Sequence, residues 1–446
     1  MYKKGLVFKI ILFILFAMSF GVCMPQYTTE KQDWGLYSTT HFDWWSDNLM
    51  IDDLMYHEHY KDHYAFTMQV PPSRLADNIE KAEWIPYDTY INGETFDVEL
   101  WEEYTGNIVA QRYIYVILAK LLPCDGKGTL VVLRGINIVL TAGVLLCIFN
   151  WIQKRNGTVI ATIIALGMTF FIQCFAMLVK NLYWIPWTLL LPMSAMMVYM
   201  DSIEYQKQKE TLKILFVLSI TTCALKQLCY FEFLSAAMIA MTLPLFYIAI
   251  VDKYRLKRFI QEFIAILGGA IASFIIAFGL HGLLVCYRYG VKTGAKYLIS
   301  HTNERMISGS KTSPGGITAI RQAINLLLHM PALSIRGIGR IDWEQVLVIG
   351  MISIAAIFIL NGARWSRIPI ELRALMLTSA LSVLAPISWA VMVAPHVNIH
   401  YSHCSVMWFC GTYFFISILI LRTLSFIISK FKICCTNITN HNKLNV

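Results

Sequence analysis

Apolar runs of about 20 residues recur along most of the chain, separated by short polar turns. A helix rises about 1.5 Å per residue, so a run of this length spans the roughly 30 Å hydrocarbon core of a bilayer. Residues 1–24 contain the first run, and nine more follow it. These lie at residues 129–152, 158–179, 182–200, 211–229, 231–251, 259–286, 344–362, 374–394 and 405–428. The pattern predicts an all-α membrane protein with about ten transmembrane helices.

The distribution of Lys and Arg predicts which side of the membrane each loop faces. Basic residues precede the first run and crowd alternate loops between the later runs. They are Lys3, Lys4, Lys9, Lys207, Lys209, Lys213, Lys253, Arg255, Lys257, Arg258, Arg364 and Arg367. The short turns on the other side carry only Lys180 and Lys226. Because short cytoplasmic loops are enriched in basic residues, we expect a bacterial cytoplasmic (inner or plasma) membrane protein with both termini cytoplasmic.

The first run, from Ile10 to Met24, has a basic stretch before it and is also compatible with a signal peptide. No small-x-small cleavage site follows it in the sequence. We therefore expect the run to remain attached as the first transmembrane helix.

One long polar stretch, residues 25–106, separates the first run from the rest. It holds 17 of the 28 Asp and Glu residues and five of the 12 Trp residues. This stretch is too polar to cross a bilayer and too aromatic for a disordered linker, so we expect an ordered extracytoplasmic lobe. Residues 107–122 predict an amphipathic helix on the outer surface, with Arg112 and Lys120 at headgroup depth. The predicted parts are 1–24 (first helix), 25–128 (lobe with surface helix), 129–286 (helices 2 to 7), 287–343 (second extracytoplasmic loop), 344–428 (helices 8 to 10) and 429–446 (cytoplasmic tail).

Composition excludes several classes of protein. Hydrophobic residues make up 57% of the chain, charged residues 15%, and the mean hydropathy is +0.55, values that exclude a soluble globule. The net charge of +9 is explained by the basic cytoplasmic loops, so we expect no nucleic-acid partner. The eleven Cys residues show neither a zinc-ribbon spacing nor a secreted disulfide framework.

Three carboxylates in the lobe are candidate catalytic residues: Asp43, within Phe-Asp-Trp-Trp, and the adjacent pair Asp52 and Asp53. Aromatic rings stack on the faces of sugars, and a carboxylate beside them can accept the proton of a hydroxyl nucleophile. The alternative for each acid is a solvated position in an acidic loop, which is common for surface carboxylates.

His57, His59 and His63 follow the acidic pair. On a helix, His59 and His63 share one face, a spacing that suits a divalent metal ion. Neutral surface histidines explain the same spacing. We therefore assign no metal, and a divalent ion is the cofactor that the pattern leaves open.

Two short turns on the predicted outer side carry further polar candidates. Lys180 and Asn181 precede Tyr-Trp-Ile-Pro-Trp, and interfacial anchoring is the alternative explanation for them. Lys226 and Glu232 stand at the junction of two apolar helices, where ionisable groups are costly and often functional. We expect Lys226 and Glu232 to face the protein interior; an ion pair or snorkelling side chains are the alternatives.

The last predicted outer turn contains His396, His400 and His403. Imidazoles can bind a phosphate through their N–H groups, tune a base or bind a metal ion. Polar capping of two helix ends is the alternative.

Four short pieces of the chain resemble a group of uncharacterised bacterial polytopic membrane proteins. The pieces are Tyr104-Thr-Gly-Asn-Ile-Val-Ala-Gln111, Lys180-Asn-Leu-Tyr-Trp-Ile-Pro-Trp-Thr188, Lys226-Gln-Leu-Cys-Tyr-Phe-Glu-Phe233 and Ser388-Trp-Ala-Val-Met-Val-Ala-Pro-His-Val-Asn-Ile-His400. In plan this group is similar to the GT-C glycosyltransferases, with a first helix, a long outer loop containing acids, an amphipathic surface helix and many spans. The resemblance implies a GT-C-like fold and a glycosyltransferase activity.

The predicted outer position of the acids favours a sugar donor linked to a polyprenyl phosphate. An enzyme that uses nucleotide sugars needs its carboxylates in the cytoplasm, where this chain has only short basic loops. A lipid-linked donor requires a base for the acceptor hydroxyl and hydrogen-bond donors for the departing phosphate. We expect Asp43, Asp52 or Asp53 to be that base. The predicted phosphate-binding residues are Arg112, Lys180, Lys226, His396, His400 and His403, with Asn181 and Glu232 as further polar residues of the site.

The sequence therefore predicts transfer of a hexosyl or pentosyl group from a lipid-linked donor to an extracytoplasmic glycan or lipid acceptor, with membrane lipids as further partners. The alternatives are a polysaccharide polymerase and a lipid or glycan flippase or transporter. A transporter is expected to keep polar residues near the membrane midplane and often to have paired inverted halves. Neither feature is evident in the sequence.

Overall fold

The computed structural model describes residues 2–22, 44–60, 66–76, 84–170, 173–207, 210–308, 315–335, 339–399 and 405–444. In chain order the first elements are α1 (Tyr2–Val22), α2 (Trp44–His59), β1 (Thr67–Gln69), α3 (Pro72–Leu75), α4 (Ile85–Ile91), β2 (Glu102–Tyr104) and α5 (Gln111–Leu121). Next come α6 (Gly126–Asn156), α7 (Thr158–Phe170), α8 (Gln173–Lys180), α9 (Pro186–Met200), α10 (Ile203–Gln206), α11 (Thr211–Cys229), α12 (Leu234–Val251), α13 (Leu256–Tyr289) and α14 (Val291–Asn303). The chain continues through a π-helix (Glu304–Ser308), α15 (Gly316–Leu328), β3 (Pro331–Ile335), β4 (Gly339–Asp342), α16 (Trp343–Leu360), α17 (Ile370–Ser382), α18 (Leu384–Met392), α19 (Ala394–Ile399) and α20 (Thr412–Leu444).

Within the described residues, seven helical segments are long and apolar enough to cross a membrane. They are Gly126–Asn156, Thr211–Cys229, Leu234–Val251, Leu256–Tyr289, Trp343–Leu360, Ile370–Met392, which joins α17 and α18, and Thr412–Phe431. The protein is thus an all-α, multi-pass membrane protein, as the apolar pattern predicted. The count of about ten spans is not confirmed beyond these seven.

Two of the other predicted spans, at residues 158–179 and 182–200, contain shorter helices, and local chemistry explains the second. Residues 182–200 were expected to form one span, but α9 begins only at Pro186. The side chain of Asn181 accepts hydrogen bonds from the backbone N–H groups of Tyr183 and Trp184, which forms a turn instead of a helix. Pro186 then occupies the first turn of α9, where its missing N–H is tolerated. In the 158–179 run, α7 ends at Phe170 and α8 begins at Gln173.

The long helices pack side by side, and α11 and α13 share the most extensive contact. Their close approach depends on Gly269 of α13. A Cβ atom at this position would lie 2.5 Å from the backbone oxygen of Phe216 and 2.6 Å from the side chain of Ser219, both in α11. The close packing of these two helices therefore requires a residue without a side chain at position 269.

The lobe covers one end of this bundle, which we call the lobe end. Strands β1 and β2 pair antiparallel, with Thr67 opposite Tyr104 and Gln69 opposite Glu102. Helix α2 packs on β1, α4 and α5. The lobe then joins α6, since the backbone of Tyr90 in α4 lies against Gly126 at the start of that helix.

Helix α5 occupies residues 111–121 of the stretch 107–122 that was predicted to be helical, and Arg112 points elsewhere than predicted. Arg112 is buried and turns into the lobe, although we expected it at headgroup depth. The exposed face of α5 instead carries Ile114, Ile117 and Leu121, together with Lys120. Burial of Arg112 follows from its partners in the lobe, the carboxylate of Asp53 and a backbone carbonyl.

Candidate functional site

The last turn of α11 and the segment that connects it to α12 hold two ionisable residues inside the protein. Lys226 is 1% exposed and Glu232 is 6% exposed, which confirms that both face the interior. The ammonium group of Lys226 donates hydrogen bonds to the backbone oxygens of Tyr230, at 2.9 Å, and Glu232. It also lies 4.3 Å from the centre of the Tyr230 ring. Lys226 thus stabilises the backbone of residues 230–232 and fixes the position of Glu232.

The Glu232 carboxylate is held from two sides by segments distant in sequence. The side-chain amide of Asn107, at the lobe end, lies 3.4 Å from each carboxylate oxygen. The guanidinium of Arg305, on the π-helix, lies 3.5 Å from Oε1. Asn107 is fully buried, so the carboxylate has a polar but largely water-free environment on that side.

Two tyrosine hydroxyls complete this side of the site. Tyr183 accepts a hydrogen bond from Asn107, and the Tyr104 hydroxyl lies close to Tyr183 and Arg305. Burial raises the pKa of the Tyr104 and Tyr183 hydroxyls, so both stay protonated at neutral pH. A side chain at position 106 would meet the Tyr104 hydroxyl at 2.6 Å, which makes Gly106 necessary for this arrangement.

Two imidazoles approach Arg305 from α13 and α14. His281 is buried beside the rings of Phe66 and Phe231. His301 stacks on Tyr297 at a centroid distance of 5.4 Å. Burial, aided by the positive charge of Arg305, lowers the pKa of His301 to about 4, so its imidazole is neutral at pH 7.

Polar side chains from six segments thus meet at the lobe end of the bundle, and we call them the Glu232 cluster. Its members are Tyr104, Asn107, Tyr183, Glu232, His281, His301 and Arg305. The cluster brings a carboxylate, a guanidinium, two imidazoles, an amide and two hydroxyls together. Such a combination can accept a proton and can also bind an anion.

The predicted acids Asp52 and Asp53 lie in α2, apart from these contacts. One oxygen of each accepts hydrogen bonds within the lobe, and the other oxygen of each has no hydrogen-bond partner among the described residues. Asp52 accepts a hydrogen bond from the backbone of Val70 at 3.0 Å, and Asp53 accepts one from Met68 at 2.9 Å. Burial is the largest influence on both carboxyls. It raises the pKa of Asp52 well above its usual value and that of Asp53 to about 6, although Arg112 acts in the opposite direction on Asp53.

Asp43 lies outside the described residues. A further acid of α2, Asp47, was not singled out from the sequence. Its carboxylate pairs with Arg134 of α6 at 2.6 Å and accepts a hydrogen bond from the backbone of Leu182 at 2.7 Å. Asp47 therefore ties the lobe to the bundle.

Two of the predicted polar site residues, Arg112 and Asn181, have partners away from Glu232. Arg112 pairs with Asp53 at 3.1 Å, and Asn181 caps the turn before α9. Lys180 is buried at the end of α8. Of the predicted phosphate-binding residues that the structure describes, Lys226 has a direct contact with Glu232, from the last turn of α11.

The predicted histidines that the structure describes lie in two places, near the π-helix and in the lobe. His396 lies on α19, which packs against the π-helix that carries Arg305. His400, His403 and His63 lie outside the described residues. His57 lies 3.8 Å from Asp53, and His59 bonds to the backbone oxygen of Met55. In the part of the chain that the structure describes, no three His, Cys, Asp or Glu side chains are grouped as metal ligands.

Six members of the cluster were not selected from the sequence as site residues. They are Tyr104, Asn107, Tyr183, His281, His301 and Arg305. His281 carried a usable signal, because a His inside the apolar run 259–286 is expensive in a membrane and hence a functional candidate. Arg305 carried none, since it is one of eight Lys and Arg residues in the loop 287–343.

Comparison with protein-family models, with curated proteins and with solved structures found no match to this chain.

Proposed function

We propose that this protein is a GT-C-like membrane glycosyltransferase with about ten spans and its lobe end outside the bacterial cytoplasmic membrane. It transfers a hexosyl or pentosyl group from a polyprenyl-phosphate donor to a glycan or lipid acceptor. The observation that carries the proposal is the buried Glu232 carboxylate beside Arg305 at the lobe end. A base and an anion-binding cation 3.5 Å apart match the two charges that such a transfer moves.

The reaction assigns a distinct task to each group. The acceptor hydroxyl oxygen bonds to the anomeric carbon, and its proton passes to the Glu232 carboxylate. The bond between that carbon and the phosphate oxygen breaks, and its electron pair leaves with the polyprenyl phosphate. The Arg305 guanidinium and imidazole N–H groups bind the departing phosphate, because charge-assisted hydrogen bonds to phosphate are strong.

Glu232 replaces the lobe acids as the first candidate for the base. Asp52 and Asp53 each accept a backbone hydrogen bond from residues on or just after β1, and Asp53 also pairs with Arg112. These contacts give both acids a role in lobe folding. Asp43 stays a second candidate from the sequence, and the same experiment tests it.

The test is transfer by the purified protein from a polyprenyl-phosphate sugar to candidate acceptors. We expect Glu232→Gln to lower turnover about 100-fold or more, because the amide keeps the size but cannot take the proton. Asp43→Asn is measured in parallel. Glu99→Gln, on an exposed part of the lobe, is the matched control and should retain full turnover.

Full turnover of Glu232→Gln would remove Glu232 as the base. If Asp43→Asn were then inactive, the function would stand with a different base. Absence of any transfer by the wild type across hexosyl and pentosyl donors would overturn the proposed function itself.

A further inference from the structure

We infer that the Glu232 carboxylate and the phosphate of the lipid-linked donor compete for one cation, Arg305. Donor binding then withdraws Arg305 from Glu232, so the carboxylate becomes available to the acceptor hydroxyl only when a donor is in place. The inference rests on the proposed function and deepens it, since it couples donor binding at Arg305 to the availability of the Glu232 base.

The length of the Arg305 contact is the first observation. Its Nη1 lies 3.5 Å from Glu232 Oε1, whereas Arg134 lies 2.6 Å from Asp47 and Arg288 lies 2.8 Å from Glu103. Charge-assisted hydrogen bonds between such groups are typically about 2.7–2.9 Å long. Arg305 is thus attracted to Glu232 without the close contact seen in the other two pairs.

The accessibility of the two partners is the second observation. The side chain of Arg305 is 25% exposed, but that of Glu232 is only 7% exposed. An anion arriving from the lobe end therefore reaches Arg305 before it reaches Glu232. Asn107 holds both carboxylate oxygens from the other side, so Glu232 keeps a partner when Arg305 turns away.

Unused hydrogen-bonding atoms beside Arg305 are the third observation. His301 precedes Arg305 by four residues, and the His281 ring lies 5.7 Å from the ring of Phe231, the neighbour of Glu232 in the chain. Among the described residues, Nδ1 of the buried His281 and Nε2 of His301 have no hydrogen-bond partner. A neutral imidazole can donate one hydrogen bond, so a phosphate at Arg305 would satisfy atoms that are otherwise left unpaired.

The backbone around Arg305 allows its side chain to change partner without a larger movement. Helix α14 is attached to the lobe by the contact between Tyr297 and Thr105 at 3.0 Å, and Arg288 just before it by the contact with Glu103. Arg305 follows on the π-helix, an irregular turn that is frequent at functional sites. The anchored segment keeps the guanidinium within reach of both anions.

The experiment measures the affinity of the purified protein in nanodiscs for polyprenyl phosphate, with neutral polyprenol as the comparison ligand. Glu232→Gln should bind polyprenyl phosphate about 3- to 10-fold more tightly than the wild type, because Arg305 no longer has a competing anion. Arg305→Gln should bind it more weakly. The double variant should match Arg305→Gln, since the gain passes through Arg305. Polyprenol should bind all four proteins equally.

Glu103→Gln is the matched control, because it breaks the Arg288 pair in the same region and leaves Arg305 with Glu232. It should bind like the wild type. A gain in affinity cannot come from misfolding, so the main result does not depend on the stability of the variant.

If Glu232→Gln binds no more tightly than the wild type, the competition is wrong and the glycosyltransferase proposal still stands. The same conclusion follows if Glu232→Gln raises the affinity for polyprenyl phosphate by the same factor whether or not Arg305 is present. If the wild type binds polyprenyl phosphate no better than polyprenol, the ligand class is wrong and both proposals fall.

Discussion

Asp53 of α2 and Arg112 of α5 form an ion pair that water scarcely reaches, with 3.1 Å between Oδ1 and Nη1. Two further contacts support the pair, one from the backbone N–H of Met68 to Asp53 and one from Arg112 to the backbone oxygen of Phe66. Buried pairs of this kind are weak evidence for stability, but removal of one partner leaves a charge without compensation. The pair therefore joins α2, α5 and the strand β1 in a single unit.

We expect Arg112→Met to lower the free energy of unfolding by about 3–5 kcal/mol at pH 8, because the Asp53 carboxylate then remains buried and unpaired. Arg112 is the main influence that lowers the pKa of Asp53, so its removal raises that pKa above about 6. The folded variant then binds a proton that the folded wild type lacks. The loss of unfolding free energy caused by Arg112→Met should therefore become smaller as the pH falls from 8 to 5.

Thermal unfolding in detergent at several pH values measures this effect. Lys120→Met on the exposed face of the same helix is the control and should change stability by no more than about 0.5 kcal/mol. An equal loss for Arg112→Met at pH 8 and pH 5 would show that the pair is not the cause.

At the scale of elements, the contact between α11 and α13 offers a test with two adjacent glycines. A Cβ atom at Gly269 would lie 2.5 Å from a backbone oxygen of α11, whereas one at Gly268 would have its nearest neighbour at 3.8 Å, on the Phe216 ring. We expect Gly269→Ala to destabilise the protein by about 1–3 kcal/mol, because a backbone atom cannot move aside easily. Gly268→Ala should be neutral within about 0.5 kcal/mol.

Thermal unfolding of the two alanine variants in nanodiscs provides the measurement. Both substitutions raise helix propensity equally, so only the packing differs between them. Equal melting temperatures would contradict the close approach of α11 and α13.

The elements also show what the sequence could predict. Helix α11 was predicted at residues 211–229 and is found there, because an uninterrupted apolar run admits only one regular structure in a membrane. The start of α9 was not predicted, because it depends on hydrogen bonds to the side chain of Asn181. The mean hydropathy of the run does not reveal such bonds. The site residues were harder to predict than the helices. Glu232 was selected because an acidic residue is unusual between two apolar helices. Its partner Arg305 lies 73 positions later, and their contact exists only in the folded chain.

At the scale of the whole molecule, charge is divided between the two ends of the bundle. The lobe sequence 25–106 has 17 acidic residues against four basic ones, namely Lys31, Lys61, Arg74 and Lys81. Helix α6 starts beside the lobe and ends with Lys154 and Arg155, which pair with Asp201. This distribution places the acidic end away from the basic ends of the spans, and the positive-inside rule then predicts the lobe outside the cell.

The exposed Cys124, between α5 and α6, is a natural reporter of this topology. We expect a membrane-impermeant maleimide to label it in intact cells, with Cys124→Ser abolishing that labelled peptide in a mass map. On the Cys124→Ser background, Lys257→Cys at the exposed start of α13 should react only after permeabilisation, because it lies among the basic residues that we expect in the cytoplasm. The opposite pattern would place Glu232 and Arg305 on the cytoplasmic side. Soluble nucleotide sugars would then be the accessible donors, and the polyprenyl-phosphate proposal would lose its basis.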